Sequence, residues 1–100
     1  MSRMTVSGFT SERKPVVTGV FRLYDTIGLP LNIILDQIIL NGWVVDWEVF
    51  YNDAMKAGWK KTTFRNRVSE ALQDAGQIDA KNRKDILVRL DLLLNHSQQV

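Results

Sequence analysis

Apolar residues recur along most of the chain at the three- and four-residue spacing that is typical of amphipathic helices. The clearest segment opens at Pro30, which suits a first helical turn, and closes at Asn41 and Gly42, which suit a helix end. Its apolar face carries Leu31, Ile34, Leu35, Ile38 and Ile39. This pattern predicts one well-defined helix in the first half of the chain.

Three later segments show the same spacing, and each has its own end signals. A helix capped by Asp46 should end at Gly58, and the next should begin near residue 61 and end at Gly76. Asp79 could cap the last helix. The inner face of that helix would carry Ile86, Leu87, Leu90, Leu93 and Leu94.

Two segments also fit a strand. "PVVTGVF", residues 15–21, is crowded with β-branched residues, although apolar positions from Val16 to Ile27 also fall at helical spacing. Residues 86–94 alternate between apolar and other positions as a strand would, yet they are rich in Leu and free of Gly and Pro. We favour a helix in both. A strand at 85–94 would instead make a winged helix.

These patterns predict an all-α fold, in a single small domain of four or five short helices that includes a helix-turn-helix-like pair. Residues 1–13 lack periodicity and are predicted to form a flexible N-terminal arm. The helical domain would span residues 14–96, and residues 97–100 would form a C-terminal tail. A chain of 100 residues fits one domain.

Cysteine content, apolar runs and net charge limit the kinds of site and partner that are expected. The chain has no cysteine, which excludes disulfides and thiolate metal sites and fits a cytoplasmic location. No apolar run approaches a membrane span, so no membrane association is expected. The formal net charge is only +2, so an argument for nucleic-acid binding depends on where the charges lie.

A basic helix-turn-helix pattern lies between Ala54 and Leu72. Ala54 is the small residue of the first helix, Gly58 is the break, and Phe64 with Val68 would anchor the second helix in the core. Five cations fall within twelve residues around that turn, with no acid between them.

Side chains at this turn could contact DNA or RNA. The candidates are Lys56, Trp59, Lys60, Lys61, Thr62, Thr63, Arg65, Asn66 and Arg67. The cations would meet phosphates, the uncharged polar side chains and Arg65 would reach base edges, and Trp59 could stack on a base. The same cations could equally keep an ordinary bundle helix soluble, and Asp53, Glu70 and Asp74 lie close by.

Aromatic residues provide the alternative function. Trp43, Trp47, Tyr51 and Trp59 fall close together in the sequence, with Phe50 among them. If they cannot all face the core, they form an exposed patch that would bind a protein partner or a second copy in a homodimer. If the helix that carries them packs on both sides, they are buried. The patch would suit a small regulator or inhibitor of the kind found in viruses and mobile elements.

Enzymatic chemistry is not expected. The single histidine, His96, lies near the C-terminus, and no glycine-rich phosphate loop occurs. The carboxylates of the first three helices are explained as a cap, in the case of Asp46, or as solvated groups. The chain is therefore predicted to have no catalytic residue, no metal site and no cofactor.

The segment "FRLYDTIGLPLNIILDQIILNGWVVDWEVF", Phe21 to Phe50, resembles part of the alanyl-tRNA synthetases. That family carries a Phe-x-Leu-Tyr-Asp-Thr-x-Gly-x-Pro stretch just after its class II catalytic core, followed by a helix, a Val-Asp pair and a Phe. The matching residues are Phe21, Leu23, Tyr24, Asp25, Thr26, Gly28, Pro30, Val45, Asp46 and Phe50.

In the synthetases this region belongs to the helical part that meets the tRNA acceptor stem. The resemblance therefore implies a helical subdomain with nucleic-acid contact around Asp25. It does not imply aminoacylation, because neither the catalytic core nor the editing domain fits into this chain. A borrowed helical hairpin or structural convergence would produce the same match, since most matching residues also suit helix faces and helix ends.

Overall fold

The computed structural model describes residues 4–76 and 78–97, with side chains described through Asn95. The described residues form five α-helices and three strands. In chain order the elements are β1 (Thr5–Phe9), β2 (Pro15–Thr18), α1 (Val20–Arg22), a π-helical turn (Leu23–Ile27), α2 (Leu31–Leu40), β3 (Val44–Val45), α3 (Trp47–Lys56), α4 (Lys61–Asp74) and α5 (Ala80–Ser97).

The prediction of an all-α fold is wrong, because the helices pack with a mixed three-stranded sheet of order β1-β2-β3. β1 and β2 are antiparallel, whereas β2 and β3 are parallel and are connected through α1, the π-helical turn and α2. The molecule is a small α/β domain.

The predicted N-terminal arm is largely a β-hairpin. Thr5–Phe9 pairs with Pro15–Thr18, and the chain reverses between Thr10 and Lys14, where Arg13 adopts a left-handed φ of 65°. The Thr10 amide donates to the Lys14 carbonyl at 2.9 Å and closes the loop. Pairing with β2 therefore orders a segment that has no periodicity of its own. Residues 1–3 of the predicted arm and 98–100 of the predicted tail lie outside the described residues.

The first predicted helix begins later than expected. The strand interpretation of "PVVT" is the correct one for residues 15–18, and Gly19, with φ of 98°, separates β2 from α1. The helix then widens into the π-helical turn, and the Leu29 amide donates to the Leu23 carbonyl at 3.1 Å. The β-branched residues therefore form a strand and the left-handed glycine ends it, although the apolar residues also fall at helical spacing.

The other four predicted helices are present as α2 to α5. The segment over which strand and helix competed, residues 85–94, lies inside the helix Ala80–Ser97, so no C-terminal strand forms there and the winged-helix variant is wrong. The Asp79 carboxylate accepts from the Asn82 amide at 2.8 Å, as a cap does. Helix α4 begins at Lys61 as predicted and ends at Asp74.

The core lies where α2, α3, α4 and α5 meet the inner face of the sheet. Its completely buried side chains come from every layer, including Val17 of β2, Ile38 of α2, Phe50 of α3, Phe64 of α4 and Leu90 of α5. All of the fully buried side chains of the described residues are apolar. This arrangement fixes α3 and α4 side by side and leaves their connecting turn at the surface.

Asp46 joins the sheet to α3. One carboxylate oxygen accepts from the Val49 amide at 3.2 Å and caps the helix, as predicted, while the other accepts from the Ser7 hydroxyl of β1 at 2.9 Å. The Asp46 amide donates to the Val17 carbonyl at 2.9 Å. A single residue therefore ties three elements together.

Asp46→Ala is expected to lower the free energy of unfolding by about 1–2 kcal/mol, because the helix loses its N-cap. Ser7→Ala keeps the cap and removes the bonds of the Ser7 hydroxyl to the Asp46 carboxylate and the Val16 carbonyl, so it should cost less, about 0.5–1.5 kcal/mol. Urea denaturation of both variants measures the difference. A loss for Asp46→Ala no larger than that for Ser7→Ala would contradict a dominant contribution of the cap.

Candidate nucleic-acid interface

The turn between α3 and α4 is a glycine-dependent helix end. Gly58 has φ of 97°, its amide donates to the Met55 carbonyl at 3.0 Å, and the Trp59 amide donates to the Ala54 carbonyl at 3.1 Å. These two bonds form a Schellman motif, which needs a left-handed residue at the position of Gly58. The turn therefore has a defined geometry, and it delivers Lys60 directly to the start of α4.

The same motif ends α2. Gly42 has φ of 76°, its amide donates to the Ile39 carbonyl at 3.0 Å, and the Trp43 amide donates to the Ile38 carbonyl at 2.9 Å. In both motifs a tryptophan follows the glycine, and both tryptophans are half-buried. The repeated Gly-Trp pair thus marks two helix ends at which an indole covers the core.

Trp59 packs against the segment that resembles the synthetases. Its ring meets Phe21 edge-on at a centroid distance of 5.3 Å and Tyr24 at 5.8 Å. The Trp59 ring is therefore part of an aromatic cluster, and only its remaining surface is free to stack on a base.

Arg67 closes this cluster from α4. Its Nη1 donates to the Tyr24 hydroxyl at 2.8 Å, and its guanidinium lies 5.2 Å from the centroid of the Trp59 ring, a cation–π distance. Arg67 is exposed, so it can still present N–H groups to a ligand. Its contacts nevertheless hold α4 against the π-helical turn, a positioning role that the basic pattern alone did not reveal.

Arg65 is paired within the domain. Its Nε donates to an Asp91 carboxylate oxygen of α5 at 2.8 Å, and the two side chains are 32% and 51% exposed. A pair this exposed contributes only about 0–1 kcal/mol, so a phosphate could compete for Arg65. In the free protein, however, Asp91 offsets the charge of Arg65.

The three predicted lysines make no ion pair within the described part of the chain. Lys56 and Lys60 are exposed and Lys61 is half-buried, and none of them lies within ion-pair distance of a described carboxylate. Lys60 and Lys61 lie at the start of α4, where the positive end of the helix dipole adds to their charge, and Lys56 is the last residue of α3. Within residues 60–64, no described side chain caps that turn.

Two uncharged candidates are exposed on α4 just after these lysines. Thr62 and Asn66 lie one turn apart and are both exposed, whereas Thr63 is half-buried. Farther along the helix, Glu70 and Asp74 are exposed as well and bound the positive region. We call Lys56, Lys60, Lys61, Thr62 and Asn66 the basic surface.

The resemblance segment contacts the turn and α4 through Tyr24, which meets Trp59 and Arg67. Phe21 and Leu23 are buried, while Asp25 and Thr26 are exposed on the π-helical turn. π-Helical turns are rare and often occur at functional sites. The contacts of Tyr24 with Trp59 and Arg67 thus bring two separate sequence signals, the motif and the basic pattern, to one side of the domain.

The four aromatic residues of the alternative site have different surroundings. Tyr51 is 6% exposed and packs edge-on against Phe64 at 5.3 Å, so it belongs to the core. Trp47 stacks on Phe50 at 6.0 Å. Trp43 and Trp47 line a cleft of about 410 Å³ together with Lys14 and residues of α5. Tyr51 is therefore part of the core, whereas Trp43 and Trp47 are half-buried at this cleft.

Comparisons with other proteins leave the chain without a match: no family model, no curated protein and no solved structure corresponds to it. The resemblance to alanyl-tRNA synthetases therefore stays a prediction. None of the described helices is long and apolar enough to cross a bilayer. The chain is a small α/β domain in which Lys56, Lys60 and Lys61 lie on and around the turn between α3 and α4.

Proposed function

We propose that this domain is a non-enzymatic nucleic-acid-binding or regulatory module and that it binds through the basic surface. The observation that carries the proposal is the set of unpaired lysines, Lys56, Lys60 and Lys61, around the first turn of α4. Clustered cations at a helix N-terminus are suited to phosphate oxygens.

The other candidate residues would make different kinds of contact with the nucleic acid. Thr62 and Asn66 are exposed on the same helix and would meet base edges, which lie beside the phosphates. Arg67 and Trp59 keep the turn against the π-helical turn and would add contacts from their free surfaces. Arg65 would exchange Asp91 for a phosphate.

The ligand class follows from the neighbouring motif. Asp25 and Thr26 are exposed on the segment that resembles the acceptor-stem region of the synthetases, and the preceding Tyr24 contacts Trp59 and Arg67. A tRNA-like hairpin is therefore tested together with double-stranded and single-stranded DNA. Lysine contacts to phosphates alone would not distinguish among these ligands, whereas the two exposed motif residues would favour the hairpin.

The triple variant Lys56→Gln, Lys60→Gln and Lys61→Gln should bind all three ligands more weakly and with less salt dependence. Each lost phosphate contact lowers the slope of log K against log salt by about 0.9 for duplex DNA, so the slope should fall by roughly 2–3. Fluorescence anisotropy over a series of salt concentrations measures both quantities. Glutamine keeps the helix propensity close to that of lysine.

A second triple variant tests whether binding depends on where the lysines lie or only on the net charge of the chain. Lys14, Lys81 and Lys84 are exposed and lie on the hairpin loop and on α5, so their replacement by Gln removes the same charge elsewhere. This control should keep most of the affinity and of the salt slope. Equal losses in the two variants, or the absence of binding by the native chain at low salt, would overturn the proposal.

A protein-binding regulator is the second candidate, and the cleft beside Trp43 and Trp47 supports it. Its floor includes the buried Leu35 and Leu72, and two tryptophans at one edge are typical anchors for a partner side chain. Tyr51 does not belong to this surface because it is buried. A native chain that fails to bind any of the three nucleic acids would leave this candidate in first place.

A further inference from the structure

Strand β1 is an open sheet edge. It lies at the end of the order β1-β2-β3, and among the described residues its strand partner is β2 alone. Residues 4–11 contain no charged side chain and no proline. Natural proteins usually protect an edge strand with such residues, so this one is a template for further strand pairing.

A bulge aligns two exposed apolar side chains on this edge. Val6 pairs with Val17 and Phe9 pairs with Pro15, with a register shift between Val6 and Gly8. Val17 and Pro15 are two residues apart and share one face of β2, so Val6 and Phe9 lie on that same face. Without the bulge, a separation of three residues would place them on opposite faces.

That face is the side on which Val17 enters the core. Val17 is 1% exposed, whereas Val6 is 49% and Phe9 is 68% exposed. The helices therefore cover the sheet at β2 and leave its apolar face uncovered at β1. No described strand pairs with the outer edge of β1, and no described element covers its apolar face.

We propose that β1 pairs antiparallel with β1 of a second copy of this chain, which joins the two three-stranded sheets into one continuous sheet. A two-fold axis perpendicular to the sheet keeps equivalent faces together, so Val6 and Phe9 of one copy meet those of the other. The uncharged sequence of residues 4–11 allows two identical strands to approach without repulsion. This dimer surface shares no residue with the basic surface.

Two matched double variants test the proposal by sedimentation velocity across a dilution series. Val6→Lys with Phe9→Lys places charge on the edge, and Val88→Lys with Leu92→Lys makes the same changes on α5. The α5 residues are matched in exposure, at 51% and 65%. The native chain and the α5 variant should reach twice the 11.5 kDa mass of the chain, while the β1 variant should stay at that mass.

Crosslinking provides a second readout that does not depend on the lysine variants. Because the chain has no cysteine, Val6→Cys and Val88→Cys each introduce a single thiol. A short bis-maleimide should join Val6→Cys chains into dimers and leave Val88→Cys chains as monomers. A native chain that is monomeric at every concentration would overturn the proposal. So would a dimer that only the α5 variant abolishes.

Discussion

Phe64→Ala is expected to lower the free energy of unfolding by about 3–5 kcal/mol, among the largest losses for a single substitution in this domain. Phe64 is completely buried, and its ring meets Phe50 at 4.9 Å and Tyr51 at 5.3 Å, both edge-on. Truncation removes the apolar surface and the aromatic contacts together and leaves a cavity between α3 and α4. Thermal and urea denaturation measure the loss.

Thr62→Ala is the matched control for this substitution. Thr62 lies two residues earlier on α4 and is exposed, so its replacement should change stability by no more than about 0.5 kcal/mol. Phe64→Ala and the lysine triple variant together separate folding from binding. Phe64→Ala should lose nucleic-acid binding only to the extent that it unfolds, whereas the lysine variants should lose binding and stay folded. A Phe64→Ala variant as stable as the native chain would contradict the packing of α3 against α4.

Helix ends could be predicted from the sequence because their signals are local. Gly42 and Gly58 both adopt the left-handed conformation that a Schellman motif needs, and Asp46 and Asp79 accept from amides three residues ahead. Each of these interactions is completed within a few residues. The predicted helices α2 to α5 therefore have nearly the observed bounds.

The sheet could not be predicted in the same way. β3 has only two residues, Val44 and Val45, which is too short for any periodicity to appear. It is a strand because the chain returns through α1, the π-helical turn and α2 to lie beside Val16 and Val17. The bulge also breaks the alternation in β1. Pairing between distant segments thus determined the part of the fold that the all-α prediction missed.

The candidate site, like the fold, could be predicted only in part. The positions of the cations follow from the sequence, but their partners do not. Arg65 meets Asp91, which is 26 residues away, and Arg67 meets Tyr24, which is 43 residues away. A run of basic residues therefore could not reveal that two of its arginines also make contacts within the domain. Arg65 pairs with a described carboxylate and Arg67 bonds the Tyr24 hydroxyl. For the three lysines around the turn, no such contact is described.

Leu90→Ala should lower the free energy of unfolding by about 2–5 kcal/mol, because Leu90 is completely buried and its loss leaves a cavity beneath α5. Leu92→Ala, two residues away on the same helix, should change it by no more than about 0.5 kcal/mol, because Leu92 is 65% exposed. Urea denaturation of both variants, at a concentration at which the chain is monomeric, measures the contrast.

This pair of substitutions discriminates between the two structures that the C-terminal sequence permitted. In a strand, Leu90 and Leu92 point to the same face and their truncations should cost similar amounts. In a helix they are separated by about 200°, so one can lie in the core while the other faces solvent. Similar losses would contradict the helix Ala80–Ser97, and with it the ion pair through which Asp91 offsets the charge of Arg65. A large loss at Leu90 alone supports the packing of α5 that places Asp91 beside Arg65.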